Sequence, residues 1–272
     1  MSVSIKNSVS LQVLISVRDV SEAAEALAGG AHILDVKEPS RGPLGAADEA
    51  TLRAISNYVR GRVRLTAALG ELLQLAALPD LSGFWAGKVG LAGCAAAPNW
   101  PEIFERWFRQ LQANRLTRNA ERVDGVAQRS ALATGQHGTS GESTILVPVA
   151  YADWVEAKAP SPQVVFQIAS TRNWPAILVD TWRKDGPCLF DHLAPDFLMV
   201  WSRRLRQAGV ILGLAGSLRA EHAQVVHAIA PAVVAFRGAA CNAGSRQQRV
   251  GQGQVRELVN NFSPAPCSSN LA

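Results

Sequence analysis

The sequence predicts an α/β protein built as a single (β/α)8 barrel of the TIM type, and three observations favour this fold. Short apolar, β-rich runs alternate with helical segments along the chain, as expected for a parallel sheet with crossover helices. Eight such runs follow one another without a domain-sized break. Glycine or polar residues follow nearly every run, at the end of the strand where barrel active sites are built. The length of 272 residues suits one barrel, since this fold typically needs about 250.

The eight predicted strands are recognised by their aliphatic and β-branched content. In chain order they cover residues 11–17, 32–36, 63–69, 84–91, 144–150, 176–179, 210–214 and 233–236. Between them, the sequence predicts helices at residues 21–27, 48–59, 101–112, 154–159 or 163–172, 193–207 and 219–229. An open eight-stranded sheet is the alternative, and the polar carboxyl ends of the strands favour the closed barrel.

The domain organisation follows from this pattern. Residues 11–258 form the barrel, preceded by an N-terminal extension over 1–10 and followed by a tail over 259–272. Residues 113–143 interrupt the alternation after the fourth strand with a segment rich in Arg, Gly, Ser and Thr. We interpret this segment as an exposed polar loop that is dispensable for catalysis.

Composition excludes several classes of protein. The chain is 48% hydrophobic and 18% charged, and it has no apolar run of the ~18 residues that a membrane span needs. The first ten residues lack the apolar core of a signal peptide, so we expect a cytoplasmic protein without a membrane partner. The four cysteines are scattered, which predicts neither disulfides nor a metal site. We expect no cofactor.

The net charge of +5 raises the question of a nucleic-acid partner. The arginines are spread along the chain and lack the interleaved aromatic residues of a nucleic-acid-binding motif. We therefore expect no nucleic acid, and interpret the positive excess as suited to a small phosphorylated substrate. A homo-oligomer is compatible with the sequence.

Asp35 and Lys37 end the second strand. Side chains alternate along a strand, so these two lie on the same face and Val36 lies on the other. A neutral lysine can attack a carbonyl, and a neighbouring carboxylate can move the protons of carbinolamine formation. An ordinary salt bridge at a strand end is the alternative interpretation.

Further strand-end charges make the catalytic interpretation stronger. Lys88 lies within the apolar fourth strand, and Asp180 and Lys184 follow the sixth. A second ammonium group lowers the pKa of the first, which is how a lysine becomes nucleophilic near neutral pH. The candidate catalytic residues are therefore Lys37, Asp35, Lys88, Asp180 and Lys184.

Glycine-containing turns follow the last two strands. Gly216 and Ser217 come after the seventh strand, and Gly238 comes after the eighth. In these barrels the last two βα loops commonly present backbone N–H groups to a phosphate. The sequence predicts that these three residues bind substrate phosphate, although plain tight turns would have the same composition.

Five segments together resemble the (5-formylfuran-3-yl)methyl phosphate synthase family, also called 4-(hydroxymethyl)-2-furancarboxaldehyde-phosphate synthase. They are AEALAGGAHILDVKEPSRGPLGA, KVGLAG, ILVDTWRKDGPCLFDHL, LAGSL and FRGAAC, in the order of the family. The DVKEP and VDT…KDG…LFDHL segments are specific, whereas the glycine loops are not. The insertion at 113–143 departs from the family pattern.

The resemblance implies a lyase that condenses two glyceraldehyde 3-phosphate molecules to the phosphorylated furan aldehyde, with loss of water and one phosphate. It implies that Lys37 forms the Schiff base and that Asp35, Lys88, Asp180 and Lys184 share its site. It also implies a place in methanofuran-type cofactor biosynthesis, linked to one-carbon metabolism.

Two other interpretations remain open on the sequence. Another class I aldolase or sugar-phosphate isomerase would share the lysine and the phosphate loops, and its product would lack the ultraviolet absorption of a furan. A non-catalytic protein that binds anions or nucleic acid would have little need for Lys37 beside Asp35.

Overall fold

Eight parallel strands form a closed barrel in the computed structural model, which describes residues 11–126 and 144–263. Each strand pairs with its neighbours in chain order, and β8 pairs with β1. The predicted (β/α)8 barrel is thus confirmed. The strands are β1 Gln12–Val17, β2 Ile33–Val36, β3 Arg64–Glu71, β4 Ala86–Gly90, β5 Ile145–Tyr151, β6 Ala176–Asp180, β7 Ile211–Leu214 and β8 Val233–Phe236.

Helices cover the outside of the barrel. They are α1 Val20–Ala28, α2 Glu49–Val59, α3 Trp100–Val126, α4 Pro162–Thr171, α5 Leu189–His192, α6 Pro195–Gln207, α7 Ala223–Ile229 and α8 Gln252–Phe262. Of the two segments considered between β5 and β6, the one near 163–172 forms the helix. No helix in residues 11–126 or 144–263 has the length and apolarity of a membrane span.

The polar segment after β4 differs from the loop expected from the sequence. Helix α3 continues through Val126, so residues 113–126 are helical in backbone. The physical reason is intrinsic propensity: this stretch has two Ala, three Arg, one Leu and one Glu, all of which favour helices, and it contains no proline. Residues 127–143, like the extension 1–10, lie outside the described residues.

The C-terminal helix also passes the boundary placed at residue 258. Helix α8 ends at Phe262, which is fully buried, as is Val255 two turns earlier on the same face. The helix packs closely on the first βα unit, because a Cβ atom at Gly29 would lie 2.5 Å from Val255 Cβ. Residues 259–262 therefore belong to the barrel rather than to the tail, and 264–272 lie outside the described residues.

Side-chain caps begin α1 and α2, the helices that follow β1 and β2. The Asp19 carboxylate accepts a hydrogen bond from Glu22 N at 2.8 Å and begins α1. The Asp48 carboxylate accepts one from Thr51 N at 2.7 Å and begins α2. Each such cap typically stabilises a helix by about 1 kcal/mol. These helices fix the ends of β1 and β2, where site residues are found.

Candidate active site

The candidate active site is a cavity of about 620 Å³ at the C-terminal mouth of the barrel. Asp35 lies beneath the mouth and is fully buried. The other residues proposed from the sequence all border the cavity: Lys37, Lys88, Asp180, Lys184, Gly216, Ser217 and Gly238. The fold thus gathers residues from β2, β4, β6, β7 and β8 around one space.

A buried ion pair lies at the base of the site. Lys88 Nζ is 2.8 Å from Asp35 Oδ2. The same carboxylate accepts hydrogen bonds from Ser16 Oγ at 3.0 Å and from Thr66 Oγ1 at 2.7 Å. Three donors therefore compensate the desolvated charge of Asp35 and hold it in place.

Asp35 pairs with Lys88, and not with Lys37, its neighbour on the same strand face. Strand register explains this pairing. Asp35 is level with Ser16 and Thr66 across β1, β2 and β3. Lys88 is level with Ala68, two residues further up β3, and its long side chain reaches down to the carboxylate.

The Lys37 amine borders the cavity without an ionic partner. Its side chain is 6% exposed, and among residues 11–126 and 144–263 it makes no salt bridge or side-chain hydrogen bond. Burial lowers the pKa of Lys37 to about 7, helped by the ammonium groups of Lys184 and Lys88 and opposed by Asp180 and Asp35. An amine in this state is substantially neutral near pH 7 and can act as a nucleophile.

A second ion pair follows β6. Lys184 Nζ is 2.6 Å from Asp180 Oδ1, and that oxygen also accepts a hydrogen bond from Thr181 N at 2.8 Å. Burial raises the pKa of Asp180, yet the charges of Lys184 and Lys37 hold it below the ordinary value. Burial lowers the pKa of Lys184. A carboxylate and an ammonium group thus face the cavity beside Lys37.

A carboxyl–phenol pair behind the site was not predicted from the sequence. Tyr151 at the end of β5 donates a 2.6 Å hydrogen bond to Glu71 Oε1 at the end of β3. Glu71 Oε2 accepts another from Ala92 N at 2.9 Å. Burial raises the pKa of Glu71. The charge of Asp180 also raises this pKa, whereas the charge of Lys184 lowers it. Tyr151 is level with Asp180 across β5 and β6, which places this pair beside the second ion pair.

Gly90 makes room for this pair, and its replacement gives a testable prediction. A Cβ atom at Gly90 would lie 2.1 Å from Glu71 Oε2 and 2.3 Å from the Tyr151 hydroxyl. We expect Gly90→Ala to displace both side chains and to lower the free energy of unfolding by about 1–3 kcal/mol, the usual cost of overpacking. Urea unfolding measures this loss.

Gly253→Ala is the matched control, since a Cβ atom there meets nothing within 4 Å. Gly253 lies within α8, so alanine should leave the free energy of unfolding unchanged or raise it by up to about 1 kcal/mol. Equal effects of the two substitutions would contradict the close approach at Gly90.

In the turns after β7 and β8, backbone atoms of other residues lie close to Gly216 and Gly238 and leave little room for a side chain. Gly216 has φ +103°, and a Cβ atom there would lie 3.1 Å from Thr181 N. Ser217 is left-handed at φ +54°, and Gly238 opens a short 3-10 turn. The binding of phosphate by these residues stays a prediction.

Two arginines near these turns were also missed by the sequence reasoning. Arg237 directly follows β8 and is buried, and its guanidinium pairs with the Glu22 carboxylate of α1. Arg246 lies further along the same connection between β8 and α8 and borders the cavity. The sequence carries a weak signal for Arg237, because charge directly after a barrel strand points towards the mouth.

Comparisons with known proteins show which family the chain belongs to. The family model described as 4-HFC-P synthase matches residues 13–259. A protein of Methanococcus aeolicus named (5-formylfuran-3-yl)methyl phosphate synthase is 31% identical over 91% of this chain and 97% of its own length. Proteins of the same name from Methanocaldococcus jannaschii and Methanothermobacter thermautotrophicus are each 32% identical over 90% of this chain, and over 97% and 96% of their own lengths.

Solved structures support the fold. Phosphoribosyl anthranilate isomerase from Thermotoga maritima aligns with a TM-score of 0.54 at 13% identity, covering 93% of this chain and 98% of its own. The 3-hexulose-6-phosphate synthase of Salmonella typhimurium aligns with a TM-score of 0.53 at 10% identity and the same coverage. Since the family model and the relatives span nearly the whole barrel, the chain belongs to the 4-HFC-P synthase family.

Proposed function

We propose that this enzyme condenses two molecules of glyceraldehyde 3-phosphate to (5-formylfuran-3-yl)methyl phosphate through a Schiff base on Lys37. One observation carries the proposal: a buried lysine with a pKa of about 7 and no ionic partner borders the cavity, in a chain of this family. As a synthase that eliminates water and phosphate, it would be a carbon–oxygen lyase. The reaction needs no bound cofactor.

The first step is attack by the neutral Lys37 amine on a ketone. One glyceraldehyde 3-phosphate isomerises to the dihydroxyacetone form, and its carbonyl carbon accepts the lysine nitrogen. Loss of water from the carbinolamine gives the protonated imine, which draws electrons from the adjacent carbon. That carbon loses a proton to a base of the site to give an enamine, and the enamine carbon forms a bond with the aldehyde carbon of the second triose, whose oxygen takes up a proton.

Proton transfer is assigned to Asp180 and Lys184 rather than to Asp35. The Asp35 carboxylate already accepts from Lys88, Ser16 and Thr66, which leaves it little capacity for exchange with substrate. Asp180 borders the cavity and acts more strongly than Asp35 on the Lys37 amine. A carboxylate in that place can accept the proton of the attacking amine and return it to the leaving hydroxyl.

The remaining steps release water and phosphate. In the overall balance, two triose phosphates give one furan phosphate, one phosphate and two water molecules. The ammonium groups of Lys88 and Lys184 stabilise the negative charge that develops on oxygen during elimination. Hydrolysis of the imine returns Lys37 to the free amine.

The retained phosphate binds, in this proposal, at the turns after β7 and β8. Gly216, Ser217 and Gly238 offer backbone N–H groups or a hydroxyl beside the cavity, as barrel enzymes commonly do. The enzyme would act in the cytoplasm and supply the furan of a methanofuran-type carrier used in one-carbon metabolism.

The pH dependence of adduct formation follows from Lys37. Its pKa is lowered to about 7, so the reactive neutral fraction is small below pH 7 and rises as the pH passes through it. We expect borohydride-trapped adduct to form about tenfold faster at pH 8 than at pH 6. A rate that keeps rising steeply to pH 10 would show that the reacting lysine has an ordinary pKa.

The product tests the proposed function. Purified protein incubated with glyceraldehyde 3-phosphate should give a compound with the ultraviolet absorption and mass of the furan phosphate, together with inorganic phosphate. An aldol or ketose phosphate without ultraviolet absorption would refute the proposal and favour another aldolase or isomerase.

A further inference from the structure

Arg246 reaches the cavity from the loop after β8. Its side chain is half-buried, and its Nη2 donates to the carbonyl oxygens of Gly42 at 3.2 Å and Pro39 at 3.4 Å. In the part of the chain that the structure describes, no carboxylate lies within ion-pair distance of its guanidinium. Most of its five N–H donors therefore have no protein acceptor.

Three other cations that border the cavity are paired with carboxylates, whereas among the described residues Lys37 and Arg219 are not. Lys88 pairs with Asp35, and Lys184 pairs with Asp180. Arg237 pairs with Glu22, whose carboxylate also accepts from Arg18. Burial lowers the pKa of Arg246, because desolvation disfavours an uncompensated charge. An anion in the cavity would supply the compensation that the protein does not.

Arg237 holds the loop that carries Arg246. The Arg237 Nε donates to the carbonyl oxygen of Arg246 at 3.1 Å, and its Nη2 donates to that of Gln248 at 3.1 Å. Its Nη1 donates to Ser16 O at 3.0 Å and to the Glu22 carboxylate. Helix α1 and strands β1 and β8 thus fix the backbone of a loop that has no regular structure around Arg246.

We infer that Arg246 binds the phosphate of a triose phosphate, and that Glu22 and Arg237 are positioning residues that aim it into the cavity. The planar guanidinium can present two parallel N–H groups to phosphate oxygens, which a lysine cannot do. Because the group is half-buried, water and salt weaken the contact less than at an open surface. The triose phosphate as ligand rests on the proposed function, whereas the arginine's affinity for phosphate does not.

Calorimetric titration with inorganic phosphate tests the binding role. We expect Arg246→Met to raise the dissociation constant at least tenfold, about 1.4 kcal/mol, and Arg246→Lys to raise it less. Arg249→Met is the matched control, because Arg249 lies on the same loop but points to Asp19 at 3.3 Å and is 57% exposed. It should bind phosphate within about twofold of the unmodified enzyme.

Equal affinity of Arg246→Met and the unmodified enzyme would overturn the inference, as would equal losses for Arg246→Met and Arg249→Met. Phosphate affinity is independent of product formation. A protein that makes no furan, yet loses phosphate affinity with Arg246→Met, would refute the proposed function alone.

A double-mutant cycle tests the positioning role. Glu22→Gln keeps the shape and a hydrogen-bond acceptor at this site, so we expect it to fold and to weaken phosphate binding severalfold. If Glu22 acts through Arg246, adding Glu22→Gln to Arg246→Met should cause no further loss. Additive losses would assign Glu22 an effect separate from Arg246. Circular dichroism of each variant checks that the fold is kept.

Discussion

Replacing Lys37 with arginine should lower the rate of furan phosphate formation at least about 10³-fold, equivalent to roughly 4 kcal/mol of barrier. Arginine keeps the positive charge, but its guanidinium does not lose a proton at neutral pH and cannot form the imine. Absorption of the furan product against time measures the loss. The unfolding transition of the variant should stay cooperative, which separates lost chemistry from lost structure.

Lys158→Arg is the control for this substitution. Lys158 is exposed and lies after β5, outside the residues that border the cavity. We expect its rate to stay within about twofold of the unmodified enzyme, since exposed substitutions away from a site have small effects. A Lys37→Arg enzyme that keeps most of its activity would assign the nucleophile elsewhere.

Removing the carboxylate of Asp35 should have the largest effect on stability. Asp35→Ala leaves Lys88 buried without its counter-ion, and the hydroxyls of Ser16 and Thr66 lose their acceptor. Breaking one partner of a buried pair typically costs about 3–5 kcal/mol. Urea unfolding should show this loss in the free energy of unfolding, and furan formation should fall with it.

The double variant Asp35→Leu with Lys88→Met provides the control. It replaces both charges with apolar groups, which is often neutral for stability, so it should unfold closer to the unmodified enzyme than Asp35→Ala does. It should nevertheless stay inactive, because the proposal uses Lys88 in catalysis. Unchanged stability of Asp35→Ala would show that the pair does not hold the base of the site.

The strands could be predicted because each is a short apolar run with a polar end. Strand β8 has the predicted bounds, Val233–Phe236, while β3 extends two residues beyond its prediction, to Glu71. That extension follows an irregular register between Ala68 and Glu71 opposite β4, which no local pattern encodes. Helix α3 is longer than predicted because residues 113–126, although polar, include several residues that favour helices.

From the sequence, only the site residues at or near the ends of strands could be predicted. Lys37 directly follows β2, Asp180 is the last residue of β6 and Lys184 lies four residues later, so their meeting at the mouth follows from the fold. The pairing of Asp35 with Lys88 depends on register and side-chain length across β2–β4. Tyr151 and Glu71 meet from strands 80 residues apart in sequence, and such contacts need the closed barrel to be seen.

Mapping the covalent adduct tests the central claim most directly. Unmodified enzyme, borohydride and dihydroxyacetone phosphate should give one reduced adduct, and peptide mass spectrometry should place it on Lys37. The buried, unpaired amine with its pKa lowered to about 7 is the physical reason. An adduct on Lys88 or Lys184, or none in an enzyme that still makes the furan, would contradict the account.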